Sequence, residues 1–456
     1  MPATLTNGHT NGHTNGHTNG YKVEKSSSSS TDLLTLALDV VNNAANIKSL
    51  LAAQNLPAPD FSPDSVDLPD TPELAKLRNQ LVASLDDLRQ LALGPRRTLR
   101  SLICFSNDLA AFQVAFEFGF FTIVPESEDG IALADVAKQA GIDIGRTRQV
   151  LRLLCTHRVF REVSEERFAH TAASAAFARD DNFRAAGGYG MDEMFKAASS
   201  TSDTVRASPM KSDLEHSPFR TRLGASMFEY YEQHPKQANR FAKAMAGVAS
   251  VDRKPSTLGD MFPWDTLKGT VVDVGGGSGH IAMALAHRFP HLNFLVQDGV
   301  QDMLTQGERL LEKEDPSVAS RIDLLLQDFF EPQPPMERLA ARGPVAGFFL
   351  RHVFHNWNDN DSINIARALV PALEAADPET PLIISERVLP RLGEGVLLHE
   401  ERSMRQMDMM MMVGLGAKER TLAEWQALFS AADERLVVKK VHGEAASAVL
   451  EVVLRK

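Results

Sequence analysis

The chain has 456 residues, more than one ordinary domain holds, so two domains and a tail are expected. An apolar fraction of 43% suffices for a sizeable core, and a net charge of −11 argues against general affinity for nucleic acid or acidic membranes. Two cysteines, Cys104 and Cys155, make neither a disulfide framework nor a metal cluster, and no apolar run reaches membrane-spanning length or forms a signal core, so a soluble cytoplasmic protein is expected.

Residues 7–20 repeat Asn-Gly-His-Thr, and Ser26 to Ser30 is a serine run. Such polar sequence buries too little to fold, so 1–30 reads as a disordered tail; a metal site at His9, His13 and His17 is the weaker reading. Residues 32–54 have a helical apolar stripe, with Thr31 or Asp32 as its cap. A proline-rich linker over 56–72 leads to a second amphipathic helix at about 72–93. Residues 98–177 read as a compact unit: a helix at about 100–118, short helices at 131–141 and 143–155, then a hairpin of 159–163 and 167–171. This is a winged-helix pattern. Arg146, Arg148, Arg152, Arg158 and Arg161 make it locally basic, yet acidic residues are interleaved with them. Residues 183–250 are mainly helical; their aromatics and methionines serve either a core or a substrate cleft.

Residues 271–274 form an apolar, β-branched strand, and Gly275, Gly276, Gly277, Ser278 and Gly279 turn it into a helix from His280. The next strand, 292–298, ends in Asp298, about 20 positions on, where a carboxylate can take ribose hydroxyls. Strands at 321–327, 344–351 and 381–389, helices at 361–373 and 421–431, and closing strands at 436–442 and 447–454 continue the alternation. A mostly parallel sheet results, with ligands at the strands' C-terminal ends, where Asp298, Asp328, Arg351 and Glu386 lie. Two histidines, His352 and His355, follow the strand that ends at Arg351. A phenol ionises near pH 10, so little phenolate exists at neutral pH; an imidazole, with a pKa of about 6.5, can take its proton as attack proceeds.

The glycine stretch resembles the D-x-G-x-G-x-G motif of methyltransferases that bind S-adenosylmethionine. Six stretches together, Val272–Gly279, Val296–Asp298, Gln327–Phe330, Leu350–Trp357, Ile384–Pro390 and Ala417–Thr421, resemble the plant caffeic-acid-type O-methyltransferases and their fungal relatives in order and spacing. The resemblance covers nearly all of the chain after about residue 95. It implies a Rossmann-like, doubly wound α/β methyltransferase domain at 251–456. A mainly helical region at 31–250 would precede it, with the winged-helix unit at about 98–177 serving dimerisation. It implies S-adenosyl-L-methionine as methyl donor, no metal, a small phenolic substrate of polyketide type, and a homodimer without nucleic-acid or membrane partners.

Carried over by position, His355 resembles the catalytic base, and Glu386 and Glu419 the acidic pair flanking it. Gly275, Gly276 and Gly277 would line the methionine part of the cofactor, Asp298 the ribose, Asp328 and Phe329 the adenine region, and Arg351, often Lys in the plant enzymes, would lie near the cofactor. Asn356 stands where the plant enzymes commonly have Asp. His352 is the second candidate base. Met404, Met407 and Met409 to Met412 form a cluster that suits either a flat aromatic substrate or packing between subunits. Two other classes stay open: a nicotinamide-dependent oxidoreductase, which the glycine spacing fits less well, and a non-catalytic regulator using the winged helix on DNA.

Overall fold

The computed structural model describes residues 32–252 and 255–455. The expected tail, its histidines and Thr31 lie outside the described residues. Helix Leu33–Ala53 starts at Asp32, whose carboxylate accepts from the Leu34 and Thr35 N–H groups. It packs on the following helix through Ile47, Leu51 and Leu74.

That second helix corrects the sequence reading. One element runs from Pro72 to Glu117 where two helices with a gap were expected. The break at Gly94-Pro95 survives as a kink, with Gly94 at φ +71°. Proline lacks an N–H and clashes with the preceding turn, but both penalties vanish at the first turn of a new helix. Two helices therefore abut through a left-handed glycine. The unit after it holds a three-stranded sheet in the order β1 (Ile131–Ala132), β3 (Arg167–His170), β2 (Phe160–Ser164). The start of the expected helix 131–141 is thus a strand, and its helix spans Leu133–Ala140. Buried Phe120, Phe121, Leu151, Leu154, Phe160 and Phe168 close this core. Three of its arginines pair with acids: Arg148 with Glu166, Arg152 with Glu162, and Arg161 with Glu128.

The C-terminal part is built on seven strands: β4 (Gly269–Val274), β5 (Leu292–Asp298), β6 (Ile322–Leu326), β7 (Val345–Arg351), β8 (Leu382–Glu386), β11 (Leu436–Glu444) and β12 (Ser447–Leu454). Their order is β11-β12-β8-β7-β4-β5-β6. Strands β4 to β8 are parallel, and β12 runs antiparallel to both neighbours. Strand β4 is buried throughout after Gly269 because both faces are covered. Val272 and Val274 face one core with helices Asp359–Ala375 and Leu422–Ala432; Val271 faces the other, with Trp264 and helix His280–Arg288. From β4 the chain winds outward through β5 and β6, then returns to lay β7 on β4's other side. This reversal opens a crevice at the strands' C-terminal ends. The expected strand 381–389 stops at Glu386; Val388–Leu389 is a separate β9, paired with β10 (Arg420–Thr421). That short pairing carries Glu419 toward the same crevice.

Candidate active site

The glycine turn leaves β4 with positive φ at Gly275, Gly277 and Gly279. A Cβ on Gly275 would press on Val353 and touch Phe329, and one on Gly276 would strike the Asp273 carboxylate and Val296. The turn therefore has room for backbone alone. Asp298, at the end of β5, accepts from Gly277 N–H at 3.0 Å and from Val300 N–H at 2.9 Å. It fixes the loop that it was expected to face, and burial raises its pKa against those two hydrogen bonds. Asp273 is buried, and its Oδ2 has no hydrogen bond among the described residues. Burial pushes its carboxyl up to about 7, with Arg351 opposing and Asp298 adding to the rise. Arg351 ends β7; burial lowers its pKa, and Glu386 and Asp273 hold it up. Asp328 is exposed and caps the Phe330 N–H at 2.9 Å. Phe329 stands edge-on to Trp357 at 6.0 Å. A backbone-only turn, a carboxylate beside it and an aromatic ring at its edge suit a nucleoside bearing a charged tail. The residues present fit S-adenosylmethionine.

Beyond Arg351 the chain tightens. His352 adopts φ +53°, and the Asn356 side-chain N–H donates to its carbonyl at 3.0 Å. An aspartate could not make that hydrogen bond, which gives Asn356 a local reason. The turn sets His355 between two buried carboxylates. Its Nδ1 lies 3.2 Å from Glu419 Oε1 and 3.9 Å from Glu386 Oε2, and its backbone N–H is 3.4 Å from Glu386 Oε1. His352 Nδ1 lies 3.5 Å from Glu386 Oε2. If Glu419 takes the hydrogen on Nδ1, Nε2 keeps its lone pair and is left as a base. His355, Glu386 and Glu419 are thus brought together, at the lip of the same crevice as Gly275, Asp298 and Arg351. His352, His355 and Glu386 also place potential metal ligands within 4.8 Å of one another. Glu419 already engages His355 Nδ1, so the arrangement serves a base and its orienting carboxylate better than a metal cage.

Two participants were quoted within motifs but given no role. Arg387 Nη1 lies 3.2 Å from Glu419 Oε1, the oxygen that faces His355. Arg420 is fully buried and binds the Phe354 carbonyl at 3.0 Å, the Trp357 carbonyl at 2.9 Å, Ser362 Oγ at 3.0 Å and Asp359 at 3.0 Å. It grips the chain on both sides of His355. Basic residues among sequence-adjacent acids were the available signal, but their partners lie far along the chain, on turns, loops and a helix. The methionines lie on helix Leu398–Leu415, and Met410 and Met411 pack into a core with Tyr189, Met194, Phe219 and Met227 of the same chain. Met404 is buried and Met409 exposed. Phe228 stacks on Trp357 at 6.1 Å, which ties the helical region to the catalytic turn.

Comparison with known proteins agrees with this geometry. A family model described as an O-methyltransferase domain matches residues 203–433, and one described as an O-methyltransferase dimerisation domain matches 101–180. The O-methyltransferase sol2 of Alternaria solani is 47% identical over 428 residues, covering 94% of this chain and 96% of its own. Among solved structures, OxaC in complex with SAH and oxaline superposes with a TM-score of 0.72 at 21% identity, over 93% of this chain and 99% of that one. A structure described as a pericyclic reaction enzyme has a TM-score of 0.67 at 19% identity, over 91% and 100%. The fold alone therefore does not select the chemistry; the residues in the crevice must.

Proposed function

The chain belongs to the O-methyltransferase family, and from that premise we propose that it methylates a phenolic hydroxyl of a small aromatic secondary metabolite, with His355 as general base. The family sets the nicotinamide and regulator readings aside. S-adenosylmethionine, whose demethylated product occupies OxaC, is the methyl donor, and it supplies an electrophilic carbon on a sulfonium sulfur. Gly275, Gly276 and Gly277 would hold its methionine part, Asp298 the ribose, Asp328 and Phe329 the adenine, with Arg351 near by. Residues 251–456 form the catalytic domain in this reading, and 31–250 the helical region through which two copies associate.

The observation that carries the proposal is the pairing of His355 Nδ1 with Glu419 at 3.2 Å inside the crevice. Glu419 fixes the ring and its tautomer, so Nε2 accepts the phenolic proton as the oxygen attacks. Glu386 holds the backbone of His355 and, with Glu419, steadies the imidazolium that forms. Arg420 keeps the turn from yielding. His352 has one carboxylate at 3.5 Å and a strained backbone, which favours His355 as the base.

For self-association, the support is an apolar stripe. Leu99, Leu102 and Ile103 on the second half of the long helix are 59%, 66% and 77% exposed, at the start of the segment that the dimerisation model matches, residues 101–180. Such a stripe on a soluble chain needs a cover, and a second copy provides it. Among the described residues, no helix is long and apolar enough to cross a membrane.

The test pairs His355→Ala with wild type. Calorimetry with adenosylhomocysteine should give equal binding, and turnover on phenols should fall 10²- to 10⁴-fold, the usual worth of a general base. Unchanged turnover in the variant would move the base to His352; no cofactor binding by the wild type would sink the proposal.

A further inference from the structure

The helical region contains buried polar atoms that no described residue satisfies. Glu193 is 1% exposed, in a single turn of π-helix (Gly190–Met194), a break in helical pairing often found at functional sites. Its Oε2 lies 2.7 Å from Arg240 Nη2, which also binds Asp192. Glu193 Oε1, Arg240 Nε and Tyr231 Oη are buried with no hydrogen-bond partner among the described residues. Burial raises the pKa of Glu193 and of Tyr231, and the Glu193 carboxylate adds to the rise at Tyr231. One acceptor and two donors thus share one apolar enclosure with Tyr189, Met194 and Phe241. A buried hydroxyl without a partner weakens a fold compared with the same ring lacking it. A ligand oxygen that met this hydroxyl would relieve that cost.

Two routes connect this cluster to the catalytic turn. Tyr231 sits three residues beyond Phe228 on helix Met227–Gln233, and Phe228 stacks on Trp357, two residues past His355. One helical turn separates the contacts. By the other route, Met194 lies beside Gly414, at the end of the helix that leads to Glu419. Beside the cluster, Arg240 and Asp192 line a cavity of about 450 Å³.

We propose that Tyr231, Glu193 and Arg240 form a polar subsite for the aromatic acceptor, binding a hydroxyl or carbonyl oxygen remote from the hydroxyl that is methylated. A hydroxyl would donate to Glu193 Oε1 and accept from Tyr231 Oη; a carbonyl would accept from Tyr231 Oη and Arg240 Nε. The subsite thereby selects acceptors carrying at least two oxygen substituents, one to be methylated and one remote from it. It rests on the phenol-acceptor reading.

The experiment uses the full chain saturated with adenosylhomocysteine, and two probes that differ by one distal hydroxyl, 2-naphthol and 2,7-dihydroxynaphthalene. Tyr231→Phe should melt at or above the wild-type temperature without probe, bind 2-naphthol as wild type does, and bind the diol about tenfold more weakly. Glu193→Gln should show the same selectivity for the diol. A lower melting temperature for ligand-free Tyr231→Phe would show that the hydroxyl holds the fold and would overturn the subsite. Equal weakening of both probes, weakening of neither, or failure of the wild type to bind the diol would also overturn it. Transfer of a labelled methyl group to the bound probes is read separately. Binding with the predicted selectivity but no transfer would strike at the methyl-transfer reading and leave the subsite standing.

Discussion

Glu419 Oε1 stands 3.2 Å from His355 Nδ1 and 3.2 Å from Arg387 Nη1, so one oxygen is shared by a base and a fixed cation. Replacing Glu419 by Gln keeps the shape but removes the charge, and allows an amide N–H to face Nδ1. The wrong tautomer then carries the lone pair, and turnover should fall about 10²-fold or more while adenosylhomocysteine binding is unchanged. Steady-state kinetics with calorimetry check this; an unaltered rate would remove Glu419 from the mechanism. At this scale the three catalytic candidates were legible through the motifs that surround them. Arg387 and Arg420 were not, because their meaning lies in partners 32 and 66 positions away along the chain. Nothing local to Lys418-Glu419-Arg420 says that the arginine holds the carbonyl of Phe354. Glu193 and Arg240 were hidden for the same reason: each reads as ordinary helix surface until the helices are packed, whereas Tyr231 belongs to the aromatics that the sequence leaves open between core and cleft.

Between elements, the turn and its neighbours set the tolerances. A methyl group on Gly276 would overlap the Asp273 carboxylate, and the loop carrying it is tied by the Gly276 N–H to the Gln297 carbonyl and by the Gly277 N–H to the Asp298 carboxylate. Gly276→Ala should therefore weaken adenosylhomocysteine binding by tenfold or more in calorimetry, and wild-type affinity in that variant would show a looser loop. Gly94 offers the contrast. Its φ is +71° but no atom lies within 4 Å of where a Cβ would sit, so Gly94→Ala meets only backbone strain. About 1 kcal/mol of stability should be lost, read as a small fall in melting temperature with turnover unchanged. The alternation of strands and helices was readable from β-branched runs and glycine stops. Two of the three mistaken boundaries, at Gly94-Pro95 and Ile131, arose where a local signal met a tertiary contact. A proline signals a stop unless helices abut there, and Ile131-Ala132 looks helical until Phe168 and Arg167 pair with it.

For the molecule as a whole, two global quantities follow. Asp273 is pushed up to about 7 from an ordinary 3.8, so the folded state prefers its neutral form. A raised folded value means stability that is present in full below the unfolded pKa and is lost as pH rises through the folded one. Asp273→Asn escapes that loss. Its advantage in melting temperature over wild type should be small below pH 4, grow toward pH 7 and level off above, reaching on the order of a few kcal/mol. A difference independent of pH would contradict the burial account. The second quantity is assembly: Leu102→Asp with Ile103→Asp should shift sedimentation from dimer to monomer, and an unchanged dimer would place the contact elsewhere. The expectation of a homodimer came from the family resemblance; which apolar side chains would carry it became visible only once their helix had been oriented, since the sequence stripe alone equally fits a core. The paired leading helices have one more consequence. Asn79 and Asp86 reach across to Glu400 and Arg402 on the helix that ends just before Glu419. The dimerisation family model begins only at residue 101, so this brace is an addition outside the matched module. Such an appendage behaves as a splint. Its length can change without altering the glycine turn after β4, because these two contacts fall on the helix Leu398–Leu415.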